Sequence, residues 1–269
     1  MLNIVTALAC EAKSIRRYYD LSSDTGKRAF PIHKNENIRL IVSGVGKINA
    51  AAAVAYLYAN DKERSDAWLN IGIAGHPVLD FGSLVLINRI TDQTTQASWY
   101  PPVVYKHNVS TSALLTVDKP ETDYQGESAF DMEASGYYPI ATRFATGELV
   151  QCVKIISDNS LQDTQSINAS KVEELIADNM ERVDRVIRAL TDLQGTLPGH
   201  QTNDFESLIS TWRFTATQRH QLNRLLQSCR VRNIGISVET ARAADCVNAS
   251  DVLACINKKL EEASIMLTN

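Results

Sequence analysis

Three stretches before residue 160 put acidic or glycine residues directly after apolar runs of strand length, where open α/β sheets hold their ligands. Glu11 follows the run Asn3–Leu8, in Ala7-Leu8-Ala9-Cys10-Glu11-Ala12. Ser43-Gly44-Val45-Gly46-Lys47 leads from another run into an alanine-rich segment, and Asn70-Ile71-Gly72-Ile73-Ala74-Gly75-His76 is a companion turn. The third stretch pairs Phe130-Asp131-Met132-Glu133-Ala134-Ser135-Gly136 with Val153-Lys154-Ile155-Ile156-Ser157-Asp158. A carboxyl group at the end of a buried strand is desolvated, which raises its pKa and lets Asp158 keep a proton for donation. Glycines let the backbone approach a ligand, and exposed N–H groups at a helix start bind an anion or hydroxyl. Each piece also has a purely structural reading. Glu11 suits the first turn of a helix, Asp158 an Asx-turn or cap, and the glycines a tight strand-to-helix turn.

The elements that must position these groups follow from periodicity. Strands are expected over Asn3–Leu8, Arg39–Ser43, Ala67–Ile73, Ser83–Thr91 and Gln151–Ile156, and helices over Ala50–Ala59, Met132–Phe144 and Ala169–Leu190. Short β-rich runs alternating with helical patterns predict an α/β fold. Gly and Pro punctuate Gln194–His200, placing a domain boundary near residue 196. Residues 1–196 form the predicted main domain. Residues 197–269 read as a helical appendage, with helices over Phe205–Leu226 and Asp251–Ala263.

Composition narrows the class of ligand. The 269 residues carry a net charge of −4 without a basic stripe, which argues against a nucleic-acid partner. No apolar run reaches bilayer length and the first residues lack a basic leader, so no membrane partner and a cytoplasmic location are expected. Five scattered cysteines show no CxxC spacing and five scattered histidines no HExxH, so no metal site is predicted. The cysteines read as reduced core thiols. Lys47, Lys154, Arg16 and Arg17 read as solvated surface charges, with cationic help to a ligand as the alternative. Trp99–Tyr105 is an aromatic, proline-rich loop suited to covering a ligand, joining a second subunit or sealing the core.

Taken in order, ALACEAKSI, SGVGKINAAAA, NIGIAG, FDMEASG and VKIISD resemble the successive motifs of the purine nucleoside phosphorylase and nucleosidase superfamily. The resemblance spans about residues 1–190. It is nearest to 5'-methylthioadenosine/S-adenosylhomocysteine nucleosidases and the related hopanoid-associated nucleosidase group. It implies a central mixed sheet wrapped by helices, a homo-oligomer with a dimer as first expectation, and cleavage of the N-glycosidic bond of a purine nucleoside, with water or phosphate as second substrate and no cofactor. Adenine is the expected base, on a 5'-modified or 5'-deoxy sugar.

By motif, the resemblance implies that Asp158, beside Ser157, protonates or hydrogen-bonds purine N7. Glu133 holds the ribose hydroxyls, Met132 packs beneath the sugar, and Glu11 orients and activates water. Ser43 and Gly44 lie near the nucleophile pocket, while Gly75 and His76 border the substrate. Two departures concern the substrate. Leu115–Pro120 replaces the segment that brings a phenylalanine against the base, so the aromatic clamp is missing and the segment is similar instead to the hopanoid-associated group. Lys154 stands where the adenine-specific branch has arginine. A phosphate-dependent phosphorylase and a non-catalytic nucleoside-binding or scaffold protein are the alternatives.

Overall fold

The computed structural model describes residues 1–26, 28–60, 67–121, 126–159, 168–196, 204–232 and 234–265. The chain divides into two compact units, 1–194 and 195–269. The first contains strands β1 (Leu2–Thr6), β2 (Ser22–Ser23), β3 (Ile32–Lys34), β4 (Ile38–Val42), β5 (Ala67–Gly75), β6 (Leu84–Asp92), β7 (Ser98–Trp99), β8 (Ser110–Thr116), β9 (Ala129–Asp131) and β10 (Val150–Asp158). Its helices are α1 (Ala9–Tyr18), α2 (Lys47–Asn60), α3 (Ala134–Ala141) and α4 (Ala169–Thr196), which runs two residues past the unit boundary.

The strands form one mixed sheet in the order β10-β6-β8-β9-β5-β1-β4-β3-β2, with β7 beside β6. Because β10 also pairs with β5, five of them close into a ring: β5, β10, β6, β8 and β9. The closing contact between β5 and β9 is the single pair Gly75 and Phe130. The expected strands are all present, and β5 and β10 run two residues further than their sequence patterns.

Buried residues explain why these segments are strands. All five residues of β1 and all nine of β10 are buried, as expected of strands covered on both faces. α4 packs one stripe inward through Val172, Ile176, Val183, Ile187 and Leu190. β8 eluded the sequence reading because its inward positions are Ser112, Leu114 and Thr116, a polar pattern that does not announce a core strand. Trp99 packs against the core, whereas Tyr100 points outward at 67% exposure.

The second unit contains α5 (Asp204–Thr211), α6 (Ala216–Val231), α7 (Val238–Ala243) and α8 (Ala249–Ile265). They enclose their own core of Leu208, Trp212, Leu222, Leu226, Val252 and Ile256. The single helix expected over Phe205–Leu226 is two helices. Thr215 caps the second, accepting the Gln218 N–H at 3.3 Å, while its own N–H donates to Gln218 Oε1 at 3.0 Å.

Candidate active site

The turn from β1 into α1 places Glu11 in the first turn of the helix. Its Oε2 accepts the N–H groups of Ala7 at 2.9 Å and Leu8 at 2.8 Å. Its Oε1 accepts the Ile73 N–H of β5 at 3.0 Å. Three backbone donors therefore hold a carboxylate with about four acceptor sites, leaving one for a further donor. Burial raises the Glu11 pKa, against the opposing pull of these N–H groups and of Lys154. Gly72 makes room for the arrangement, since a Cβ there would stand 3.0 Å from Glu11 Oε1 and 3.4 Å from Lys154 Nζ.

Glu133 is positioned by the turn between β4 and α2. Gly44 and Gly46 take φ of +83° and +103°, a region that disfavours side chains, and the Gly46 N–H donates to Glu133 Oε1 at 2.9 Å. Glu133 also begins α3, as the residue preceding Ala134. Burial, with the neighbouring charge of Asp131, pushes its pKa up to about 7.

Asp158 owes its place to an irregularity at the end of β10. Ile156 pairs with Ala74 and Asp158 with Gly75, so Ser157 is an extra residue in the ladder, and such a bulge re-aims the side chain that follows. The Ser157 hydroxyl donates to Asp158 Oδ1. Burial raises the Asp158 pKa to about 6.

Glu11, Glu133 and Asp158 line one cleft with about 710 Å³ of empty space, partly open to solvent. Met132, Gly75 and Ser157 line it as well. Ser43, Gly44 and His76 do not. The Ser43 hydroxyl is spent inside its own turn, donating to the carbonyls of Thr6 and Gly44. His76 is buried and turned away, its Nδ1 accepting the N–H groups of Val78 at 3.1 Å and Leu79 at 3.0 Å. The histidine therefore supports a turn and does not narrow the cleft.

Two of the lysines expected at the surface are folded inward. Lys154, 1% exposed, forms an ion pair with Asp131 Oδ2 at 2.8 Å. Lys47 bridges Asp92 at 2.9 Å and Asp118 at 2.7 Å, tying the start of α2 to the segment after β8 that supplies Val117 and Pro120 to the cleft. Arg17 remains exposed and pairs with Glu173. Sequence reasoning also passed over Asp131 and Phe130, which line the cleft. The signal for Asp131 was present: a lysine inside the apolar run of β10 requires a buried anionic partner.

Among the described residues, no group of three or more His, Cys, Asp or Glu is placed to hold a metal ion. The cleft has the parts for acid–base chemistry at a polar bond: carboxyls in different environments around a partly apolar floor of Phe130, Met132 and Val117.

No family model and no curated protein matches the sequence. Solved structures do match in three dimensions. 5'-Methylthioadenosine nucleosidase of Arabidopsis thaliana superposes with a TM-score of 0.57 at 14% identity, over 72% of this chain and 96% of the plant protein. The 5'-methylthioadenosine/S-adenosylhomocysteine nucleosidase of Colwellia psychrerythraea, in complex with adenine, gives 0.55 at 16% identity, over 71% of this chain and 94% of its own. Futalosine hydrolase of Helicobacter pylori gives 0.55 at 13%, over 71% and 97%. The chain has the nucleoside phosphorylase fold. This α/β architecture, a central mixed sheet wrapped by helices, is the one the motifs implied. The share of the chain in these matches is about that of residues 1–194.

Proposed function

We propose that the chain is a nucleosidase that hydrolyses the N-glycosidic bond of a purine nucleoside, with adenine as the base and a 5'-modified or 5'-deoxy sugar. The observation that carries this reading is that Asp158 and Glu11 line one cleft in different electrostatic settings. Burial keeps a proton within reach of Asp158, whose pKa is about 6. Burial raises the Glu11 pKa too, but there three backbone N–H donors and the charge of Lys154 oppose the rise and favour the ionised form. Asp158 donates its proton to purine N7 as the C–N bond breaks, so that the base leaves neutral. The sugar carries the resulting positive charge, which the cleft carboxylates stabilise. Water attacks the anomeric carbon and gives its proton to Glu11. Glu133 accepts hydrogen bonds from the ribose hydroxyls, and Met132 packs beneath the ring. General-acid assistance of this kind contributes about 10²–10⁴-fold in rate.

Water is favoured over phosphate by charge. Glu11, Asp131, Glu133 and Asp158 all line the cleft, and the nearby cation Lys154 is engaged with Asp131. A phosphate dianion would be repelled unless converging cations met it. The names of the three structures of this fold, two nucleosidases and a hydrolase, point the same way. Within the superfamily we place the chain nearest the hopanoid-associated group, on the segment Thr116–Pro120, which contributes Val117 and Pro120 to the cleft. Phe130 offers the aromatic surface that the missing clamp would otherwise supply.

The test is to incubate the protein with adenosine, 5'-deoxyadenosine and methylthioadenosine, with and without phosphate, and follow free base and sugar product. Free base with unphosphorylated sugar, formed without phosphate, is the expected result. Sugar 1-phosphate formed only with phosphate identifies a phosphorylase. Tight binding without products identifies a binding protein.

A further inference from the structure

Away from the cleft, one hollow is lined by cations and, among the described residues, by no anion, in a chain whose net charge is −4. A pocket with about 730 Å³ of empty space lies between residues 106–109 and α4, lined by Lys106, His107, Arg182 and Arg185 and by no carboxylate among the described residues. Arg182 and Arg185 stand three residues apart and so share a helix face. Their positions are held by hydrogen bonds. Arg182 Nη1 donates to Asn179 Oδ1 at 3.1 Å, and Asn179 Nδ2 donates in turn to the carbonyls of Leu175 at 3.0 Å and Gly82 at 3.2 Å. Arg185 Nε donates to the Glu181 carbonyl at 3.4 Å.

Asp178 and Glu181 stand one turn before the two arginines, yet neither arginine nor Lys106 takes part in an ion pair among the described residues. Cations gathered without a direct ion pair repel one another, and an anion between them relieves that cost. His107 is oriented too. Its Nδ1 lies 2.9 Å from the Val109 carbonyl, which only accepts, so the proton sits on Nδ1 and the neutral ring offers a ligand only an acceptor at Nε2. The Tyr105 ring meets the imidazole edge-on at 6.2 Å.

We propose that the hollow between residues 106–109 and α4 is a second ligand site, binding a small molecule through a phosphoryl group. Two guanidinium forks and an ammonium match the terminal oxygens of a phosphate more fully than the two oxygens of a carboxylate. The site is built from side chains that take no part in the proposed hydrolysis, so its existence stands or falls separately from that reading.

Inorganic pyrophosphate is the probe, titrated calorimetrically into the full-length chain. Saturable binding is expected, weakened by about tenfold or more in Arg182→Gln/Arg185→Gln, because each lost charge-assisted hydrogen bond is worth about a decade in affinity. Lys106→Gln, on an exposed loop residue that can be changed without disturbing packing, should weaken binding in the same direction. Glu133→Gln in the cleft should leave it unchanged. Absence of binding up to about 5 mM pyrophosphate, a Kd for the double variant within about twofold of the parent in a protein of unaltered circular dichroism, or loss of binding in Glu133→Gln would each overturn the proposal.

Discussion

Lys154 Nζ and Asp131 Oδ2 stand 2.8 Å apart with side chains 1% and 0% exposed, an ion pair sealed inside the sheet at the floor of the cleft. Asp131 is satisfied on both oxygens, Oδ1 by the Thr116 hydroxyl at 2.7 Å and Oδ2 also by the Ala134 N–H at 2.9 Å. Taking two charges out of water is expensive, and the pair persists because each side answers the other. The charge of Lys154 also opposes the rise that burial causes in the pKa of Glu11 and Glu133. One ammonium thereby influences three acids of the cleft.

Removing that ammonium should harm stability and chemistry together. Lys154→Met leaves Asp131 buried without its counter-charge, at a cost of about 3–5 kcal/mol in urea unfolding. The double variant Lys154→Met/Asp131→Asn should recover part of the loss, because no charge is then stranded. A Lys154→Met protein as stable as the parent would show that the pair contributes nothing to the fold.

Asp158→Asn keeps the shape of the side chain and removes the transferable proton. Base release should slow by about 10²-fold or more, with little change in nucleoside affinity. The parent should show the matching pH dependence. The acid is competent when protonated, and its pKa is about 6, so activity on its account is full below that value and falls as pH rises through it. Glu133 titrates in a neighbouring range, about 7, so the decisive measurement is the difference between the kcat/KM profiles of parent and variant. An alkaline limb near 6 that survives in Asp158→Asn belongs to another group.

Stability carries the same signature with a defined sign. A carboxyl whose folded pKa lies above its unfolded value binds its proton more tightly in the native state, so its contribution is complete below the unfolded pKa and is lost as pH rises through the folded one. Asp158 should therefore make the fold less stable at pH 8 than at pH 5, and Asp158→Asn should flatten that part of the dependence. Chemical unfolding of both proteins at the two pH values measures it.

Glu11→Gln separates water activation from binding. The amide retains an oxygen for the N–H groups of Ala7 and Leu8 but brings an NH₂ group toward the Ile73 N–H, so a modest loss of stability accompanies the change. Hydrolysis should fall by about 10²-fold while nucleoside binding, read by calorimetry with a slow substrate, changes much less. Full activity in this variant would favour phosphorolysis over hydrolysis.

Lys47 offers a test of how the rim of the cleft is held. Its bridge to Asp92 and Asp118 links α2 to the segment carrying Val117 and Pro120, and Asp92 is further bound by the Ser135 hydroxyl at 2.7 Å. Lys47→Met should raise KM several-fold, by less than about tenfold, with a smaller effect on kcat. Asp118→Asn should do less, since that carboxylate is 57% exposed in side chain and is screened by solvent. An unchanged KM in Lys47→Met would mean that the segment holds its place without the bridge.

The amino-acid sequence by itself determined the α/β layering and the central strands, because alternation of buried runs and helical stripes is a local property of the chain. It also placed Glu11 and Asp158 at strand ends and Glu133 at the start of a helix, and the fold leads all three to one cleft. Tertiary structure decided what local pattern does not encode. Whether Lys154 is solvated or buried depends on Asp131, twenty-three positions away, and whether His76 faces the cleft depends on which N–H groups claim its ring. Strand β8 and the closure of the ring were equally hidden, since the inward hydroxyl of Thr116 makes sense only once Asp131 is beside it. Burial favours apolar residues wherever they fall in the chain, but a buried charge is tolerated only where folding brings it a partner.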